Sequence, residues 1–236
     1  MEKRIYQRLL AEYIGSLVLV VAAIGPIILA HHVLNASVAL AVLMDAIAVG
    51  FVLFVLIEIF GPISECHINP AVSISMILSG RMKLKIGILY IIVQFLGGLS
   101  GTVVAHLMFF NESFFQILTI STVSRSQGPY IGEFFGTFIL ILTIYGCIYS
   151  NSTRAGSIIG LLVGGLLLTT SSTMFANPQV TVARMFTFAI AGVSPLDGFF
   201  FILVQILASI TATYTAGILF APVTNINKDQ SINCLR

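Results

Sequence analysis

His67-Ile68-Asn69-Pro70-Ala71-Val72-Ser73-Ile74 and Phe175-Ala176-Asn177-Pro178-Gln179-Val180-Thr181-Val182 are two versions of one phrase, their asparagines 108 residues apart. Each phrase closes a long apolar run and opens a short one. Asparagine is a favoured helix N-cap, and proline suits the first helical position, where its missing N–H costs nothing. One such pair ordinarily marks a turn or a cap. Two of them at matching places in an apolar chain predict a pair of short helices that dip into a membrane from opposite faces and meet near its middle.

The rest of the chain agrees with a membrane setting. Of 236 residues, 58% are hydrophobic and only 8% charged, against about 25% charged in ordinary soluble domains. So few charges cannot cover a soluble surface of this size. No basic tract offers itself to nucleic acid, and the net charge of +2 matters less than where the charges lie. The run after Met1-Glu2-Lys3-Arg4 lacks a small-residue cleavage site, so it reads as the first span. Cys66, Cys147 and Cys234 are far apart, without metal-ligand spacing. No nucleophile–base–acid set is present and the four histidines are scattered, so neither a catalytic site nor a cofactor is expected.

A helix needs about 20 apolar residues to cross the hydrocarbon. Six runs qualify, at about 9–30, 36–60, 84–108, 129–150, 155–175 and 198–221. Two runs, 66–80 and 175–189, are too short and read as re-entrant segments. If both re-enter and both termini are cytoplasmic, Lys3, Arg4, Arg8, Arg81, Lys83, Lys85, Arg154, Lys228 and Arg236 fall inside. Arg125 and Arg184 fall outside. That bias is the one cytoplasmic loops show.

The chain also repeats itself. Ala11-Glu12-Tyr13-Ile14-Gly15-Ser16 matches Gly132-Glu133-Phe134-Phe135-Gly136-Thr137, and the segment from Tyr90 through Gln94 to Leu96 matches that from Phe201 through Gln205 to Leu207. Three spans per half make the halves inverted, which places a site at the midplane between interrupted helices. The boundaries are repeat 1 at about 8–108, an outer connecting loop at about 109–128, repeat 2 at about 129–221 and a cytoplasmic tail at 222–236. Small residues at helical spacing, Gly97 with Gly101, Gly160 with Gly164, and Ala208-Ala212-Ala216, predict close helix packing. The runs Phe109-Phe110 and Phe199-Phe200-Phe201 read as lipid-facing.

On these motifs the chain resembles the aquaporins of the major intrinsic protein family, over nearly its whole length. The resemblance implies an all-α channel of six spans and two half-helices in the cell membrane. It also implies a homotetramer that passes small neutral solutes and takes no cofactor. Asn69, Pro70 and Ala71 face Asn177, Pro178 and Gln179 at the centre, where two helix N-termini oppose cations. Glu12 and Glu133 are buried carboxylates expected to accept hydrogen bonds from the re-entrant loops.

Counting from the two asparagines carries the family's selectivity positions onto Val49, Met174 and Val180, with either Gly165 or Leu167 from the fifth span. Most members have arginine where this chain has Val180, so the ring is expected to be wide or apolar. Arg184, one helical turn farther out, lines the outer vestibule or snorkels to the interface. The segment around it resembles a microbial branch often associated with arsenic resistance. Cys66 and His67 are expected at the inner vestibule. Two departures stand out: Gln179 where alanine is usual, expected to add bulk at the centre, and Glu65-Cys66 where a glycine and a small residue are usual. The function expected is passive conduction of polyols or metalloid hydroxides such as arsenous acid, with some water. A water-selective channel, a proton-coupled transporter and a non-conducting structural protein are the alternatives.

Overall fold

A computed structural model describes residues 4–109, 117–125 and 127–220. Asn111 and Glu112 in the connecting loop, and Lys228, Cys234 and Arg236 in the tail, lie outside the described residues. The described part is helical: α1 (Ile5–Ile27, prolonged by a π-helical stretch Ile28–Val33), α2 (Val38–Ser64), α3 (Pro70–Leu78), α4 (Leu84–Met108), α5 (Gln127–Tyr149), α6 (Ala155–Thr169), α7 (Pro178–Arg184) and α8 (Pro195–Leu219).

Five of these are long and apolar enough to cross a membrane, while α6 has 15 residues. The sequence predicted a span over 155–175, so α6 is shorter than expected. Its end has a local cause: Thr169 and Thr170 turn their hydroxyls back onto the carbonyls of Gly165 and Leu166, and Thr170 is already extended. Thr170 and Ser172 then accept from the Met174 N–H, so the hydroxyl-rich stretch makes a loop instead of a final turn.

Packing follows the inverted repeat. α1 lies on α4 as α5 lies on α8, and each half-helix packs on the last helix of the other half, α3 on α8 and α7 on α4. The glycines make this possible. The α-carbons of Gly97 and Gly101 press on the Tyr13 and Leu17 carbonyls of α1, and Gly160 and Gly164 meet Gly50 and Ala46 of α2. Without side chains there, helix backbones approach closely, which is how helices associate where no hydrophobic effect separates them from lipid.

The outer face is apolar, and several polar side chains are fully buried amid an apolar core. Phe51, Ile131, Leu161, Tyr214 and Ile218 are exposed, whereas Glu12, Gln94, Glu133 and Gln205 are fully buried. Such an outer face suits a hydrocarbon solvent. Phe199 and Phe200 face outward, but Phe201, expected beside them, is buried against Phe175 and Tyr130. A helix turns about 100° per residue, so three consecutive side chains cannot share one face.

Candidate functional site: a central cavity between two capped half-helices

The two re-entrant loops are built alike. Glu65, Cys66 and Ile68 have φ of 70°, 48° and 39°, and Thr173, Met174 and Ala176 have 56°, 31° and 46°. These are the same three positions counted back from each asparagine. Left-handed backbone costs a non-glycine residue about 1–3 kcal/mol, so something must hold it. Glu12 does so for the first loop, accepting from the N–H groups of His67 (2.9 Å) and Ile68 (2.6 Å), the Ser64 hydroxyl (2.6 Å) and the Gln94 amide (2.8 Å). Glu133 does so for the second, accepting from Phe175 N–H and Ala176 N–H (both 2.7 Å) and the Gln205 amide (2.6 Å). With the amides drawn to the carboxylates, the loops are left with carbonyls on their other side.

Each asparagine works in two directions. Its Oδ1 caps its own helix, Asn69 accepting from Ala71 N–H at 2.9 Å and Asn177 from Gln179 N–H at 3.1 Å. Its Nδ2 donates across the centre, Asn69 to the Ala176 carbonyl at 2.8 Å and Asn177 to the Ile68 carbonyl at 2.9 Å. An amide nitrogen carries two hydrogens, so each asparagine keeps one for a passing oxygen.

Both asparagines line a cavity of about 630 Å³ that runs from Arg81, Asn151 and Ser152 at the basic end to Arg184 at the far end. Its wall is largely aliphatic, including Leu53, Ile57, Leu140, Ile144, Ile159 and Val163. Val49, Leu167, Met174 and Val180 all line it. Gly165 does not: it sits on an exposed face of α6 with nothing near its α-carbon. Of the two registers the sequence left open, the structure brings Leu167 to the cavity.

Gln179 also departs from expectation. It is buried and does not line the cavity. Its side chain turns against α4, where Gly98 has no β-carbon to obstruct it, and its Nε2 reaches the Ile68 carbonyl at 3.4 Å. The glycine on α4 thus receives the bulk that was expected to narrow the centre. Pro70, Ala71 and Pro178 are buried as the opening residues of the half-helices.

At the basic end, Glu65 is paired on both sides, 3.6 Å from His67 and 3.9 Å from Arg8. The His67 imidazole, and after it the charges of Arg8 and Arg81, hold the Glu65 carboxyl below its usual range against the opposing effect of burial. Glu65 thus stays ionised, with the cationic Arg8 beside it. His67 is buried, with Nδ1 3.2 Å from the Ser73 hydroxyl. Cys66 lines the cavity, yet its thiol donates to the Leu56 carbonyl at 3.3 Å. A mercurial is therefore expected to inhibit flux slowly, over minutes, and Cys66→Ser to abolish the inhibition; stopped-flow traces before and after treatment measure both. Rapid inhibition that survives Cys66→Ser would place the reactive thiol elsewhere.

At the far end Arg184 is neither in open water nor snorkelling. It is 2% exposed, 3.1 Å from Asp45 of α2, and hydrogen-bonded to the Ala23 carbonyl of α1. Its guanidinium lies 4.4 Å from the centre of the Phe175 ring. Asp45 was not among the residues singled out from the sequence, although an acid amid Leu43-Met44 and Ala46-Ile47 was a visible signal, since an ionisable group inside a span is expensive unless partnered. Gln94 and Gln205 were visible only as a repeat match; the structure gives both the same task beside the glutamates. Among the described residues no group of three His, Cys, Asp or Glu is placed to hold a metal.

Comparison with known proteins bears on this geometry. The family profile described as Major intrinsic protein matches residues 1–176. An aquaglyceroporin, AqpS, of Rhizobium meliloti is 35% identical over 225 residues, covering 95% of each chain. A glycerol uptake facilitator protein of Streptococcus pneumoniae is 30% identical over 70% of this chain and 75% of that one. Among solved structures, the aquaglyceroporin from Plasmodium falciparum superposes with a TM-score of 0.68 at 18% identity, covering 93% of this chain and 97% of that chain.

Proposed function

Because this chain belongs to the major intrinsic protein family, we propose that its cavity is the path of small uncharged hydroxylated solutes, polyols or metalloid hydroxides such as arsenous acid, with modest water flux. At the coarser level, it is a multi-pass membrane protein and a passive channel for water or small solutes, not an enzyme. The observation that carries the finer reading is the aliphatic set Val49, Leu167, Met174 and Val180 along the cavity. An aliphatic wall at this stretch of the path favours solutes that carry carbon or a large central atom beneath their hydroxyls. The names of the two relatives, an aquaglyceroporin and a glycerol facilitator, point the same way.

In this reading the basic end is cytoplasmic, both termini with it, the membrane is the cell membrane, and the chain assembles as a homotetramer with one path per subunit. The gathering of Arg4, Arg8, Lys83, Lys85 and Arg154 toward the Arg81 end supports that orientation. Glu12 and Glu133 are fully committed to loop donors, which favours a channel over proton-coupled transport.

The test is stopped-flow light scattering on proteoliposomes with water, glycerol, urea and undissociated arsenous acid. Wild type is expected to pass the larger solutes. Val180→Arg is expected to lower glycerol permeability relative to water by about tenfold, ~1.4 kcal/mol of barrier. Wild-type vesicles that pass water and exclude the other three would refute the proposed solute class.

A further inference from the structure

The chain has valine at both Val49 and Val180, and it has a charge one helical turn beyond each. Asp45 precedes Val49 by four residues on α2, and Arg184 follows Val180 by four on α7. Four residues advance a helix about 6 Å and return nearly to the same face. The two charges meet at 3.1 Å, each 2% exposed. A buried ion pair is costly to desolvate, and its presence is weak evidence for a stabilising role.

The pair is also not closed on itself. Asp45 Oδ1 and Arg184 Nε are buried without a hydrogen-bond partner. Arg184 lines the far end of the cavity, with Asp45 behind it, outside the lining. Nη2 of Arg184 carries the contacts to Asp45 and the Ala23 carbonyl, which leaves other N–H donors of the guanidinium for the hydroxyl of a neutral solute. A cation arriving there meets the guanidinium.

We propose that selection of solute takes place at the Asp45–Arg184 pair, one turn outside the aliphatic set, with Arg184 as the group that touches the solute and Asp45 as the residue that positions it. Asp45, the Ala23 carbonyl and the Phe175 ring hold the guanidinium across the end of the path, where it limits size and offers a hydrogen bond. This rests on the proposed passage of hydroxylated solutes and names the group that meets them.

The test uses the full chain in proteoliposomes and reads the ratio of glycerol to water permeability. Asp45→Ala/Arg184→Ala removes both charges together, so neither is stranded, and is expected to raise the ratio about fivefold. Asp45→Asn, of equal size, weakens one of the guanidinium's three anchors and is expected to raise the ratio about twofold, whereas Asp45→Glu, which keeps the charged acceptor, holds it near wild type. A folded double variant with the wild-type ratio overturns the proposal. So does an Asp45→Asn variant that melts earlier with its ratio unmoved, since that is a structural role only. If the double variant does not fold, Asp45→Asn and Asp45→Glu decide the matter between them. Wild-type vesicles that pass water alone refute the solute class; in that case the double variant is still expected to gain glycerol flux, and a failure to gain it overturns the selecting pair as well.

Discussion

Replacing Glu12 by alanine is expected to leave the chain without a stable first re-entrant loop, and the protein should fail to elute as a single species in detergent. The carboxylate serves four donors: two backbone amides, the Ser64 hydroxyl and the Gln94 amide. A buried donor stranded without its acceptor costs about 1–3 kcal/mol, so the sum rivals the ~5–15 kcal/mol that holds an ordinary fold together. The left-handed residues at 65, 66 and 68 lose their restraint at the same time. Glu12→Gln is the milder variant: it keeps one carbonyl and turns an NH2 toward donors, and should lower the melting temperature by about 5–10 °C. The chain has no tryptophan, so melting is followed by the circular dichroism of its helices. A Glu12→Gln protein of unchanged stability whose transport had become pH-dependent would favour proton coupling instead.

The second large effect is expected at the centre. Asn69→Asp or Asn177→Asp should raise sodium and proton conductance in planar bilayers at least about tenfold. A helix N-terminus carries roughly half a positive charge, and a carboxylate placed on it reverses the sign of the local field. The substitution also removes the only hydrogens that Asn69 and Asn177 give to the Ala176 and Ile68 carbonyls, and sets negative oxygen against oxygen. Unchanged currents through both folded variants would move the cation barrier away from these caps.

The fold was readable because its decisive signals are local. An N-cap, a proline at the first helical position and a run too short to cross a bilayer are each contained within a few neighbouring residues, and the inverted repeat doubles every one. Side-chain destinations were harder. Gln179 could not be steered from sequence because the space it enters belongs to Gly98, on another helix. Gly165 and Leu167 could not be separated by counting, since the count crosses a loop whose length depends on where threonine hydroxyls end α6. Asp45 and Arg184 are 139 residues apart in the chain, and only the packing of α7 beside α1, which itself lies on α2, joins them. Each of these depends on a distant partner, which no local pattern encodes.

The crossed caps have a consequence for how the molecule is made. Asn69 reaches a carbonyl 107 residues downstream, and Asn177 one 109 residues upstream. A nascent chain that has inserted only its first three spans therefore presents a half-helix whose cap amide has nothing to hold, in a loop whose backbone is already under strain. Arrival of the second half supplies the missing acceptor and the reciprocal donor in a single docking event. Biosynthesis thus ends with a built-in check of completeness: a ribosome product truncated before residue 176 carries an unsatisfied polar group at the depth of the bilayer, the kind of defect on which membrane quality control acts.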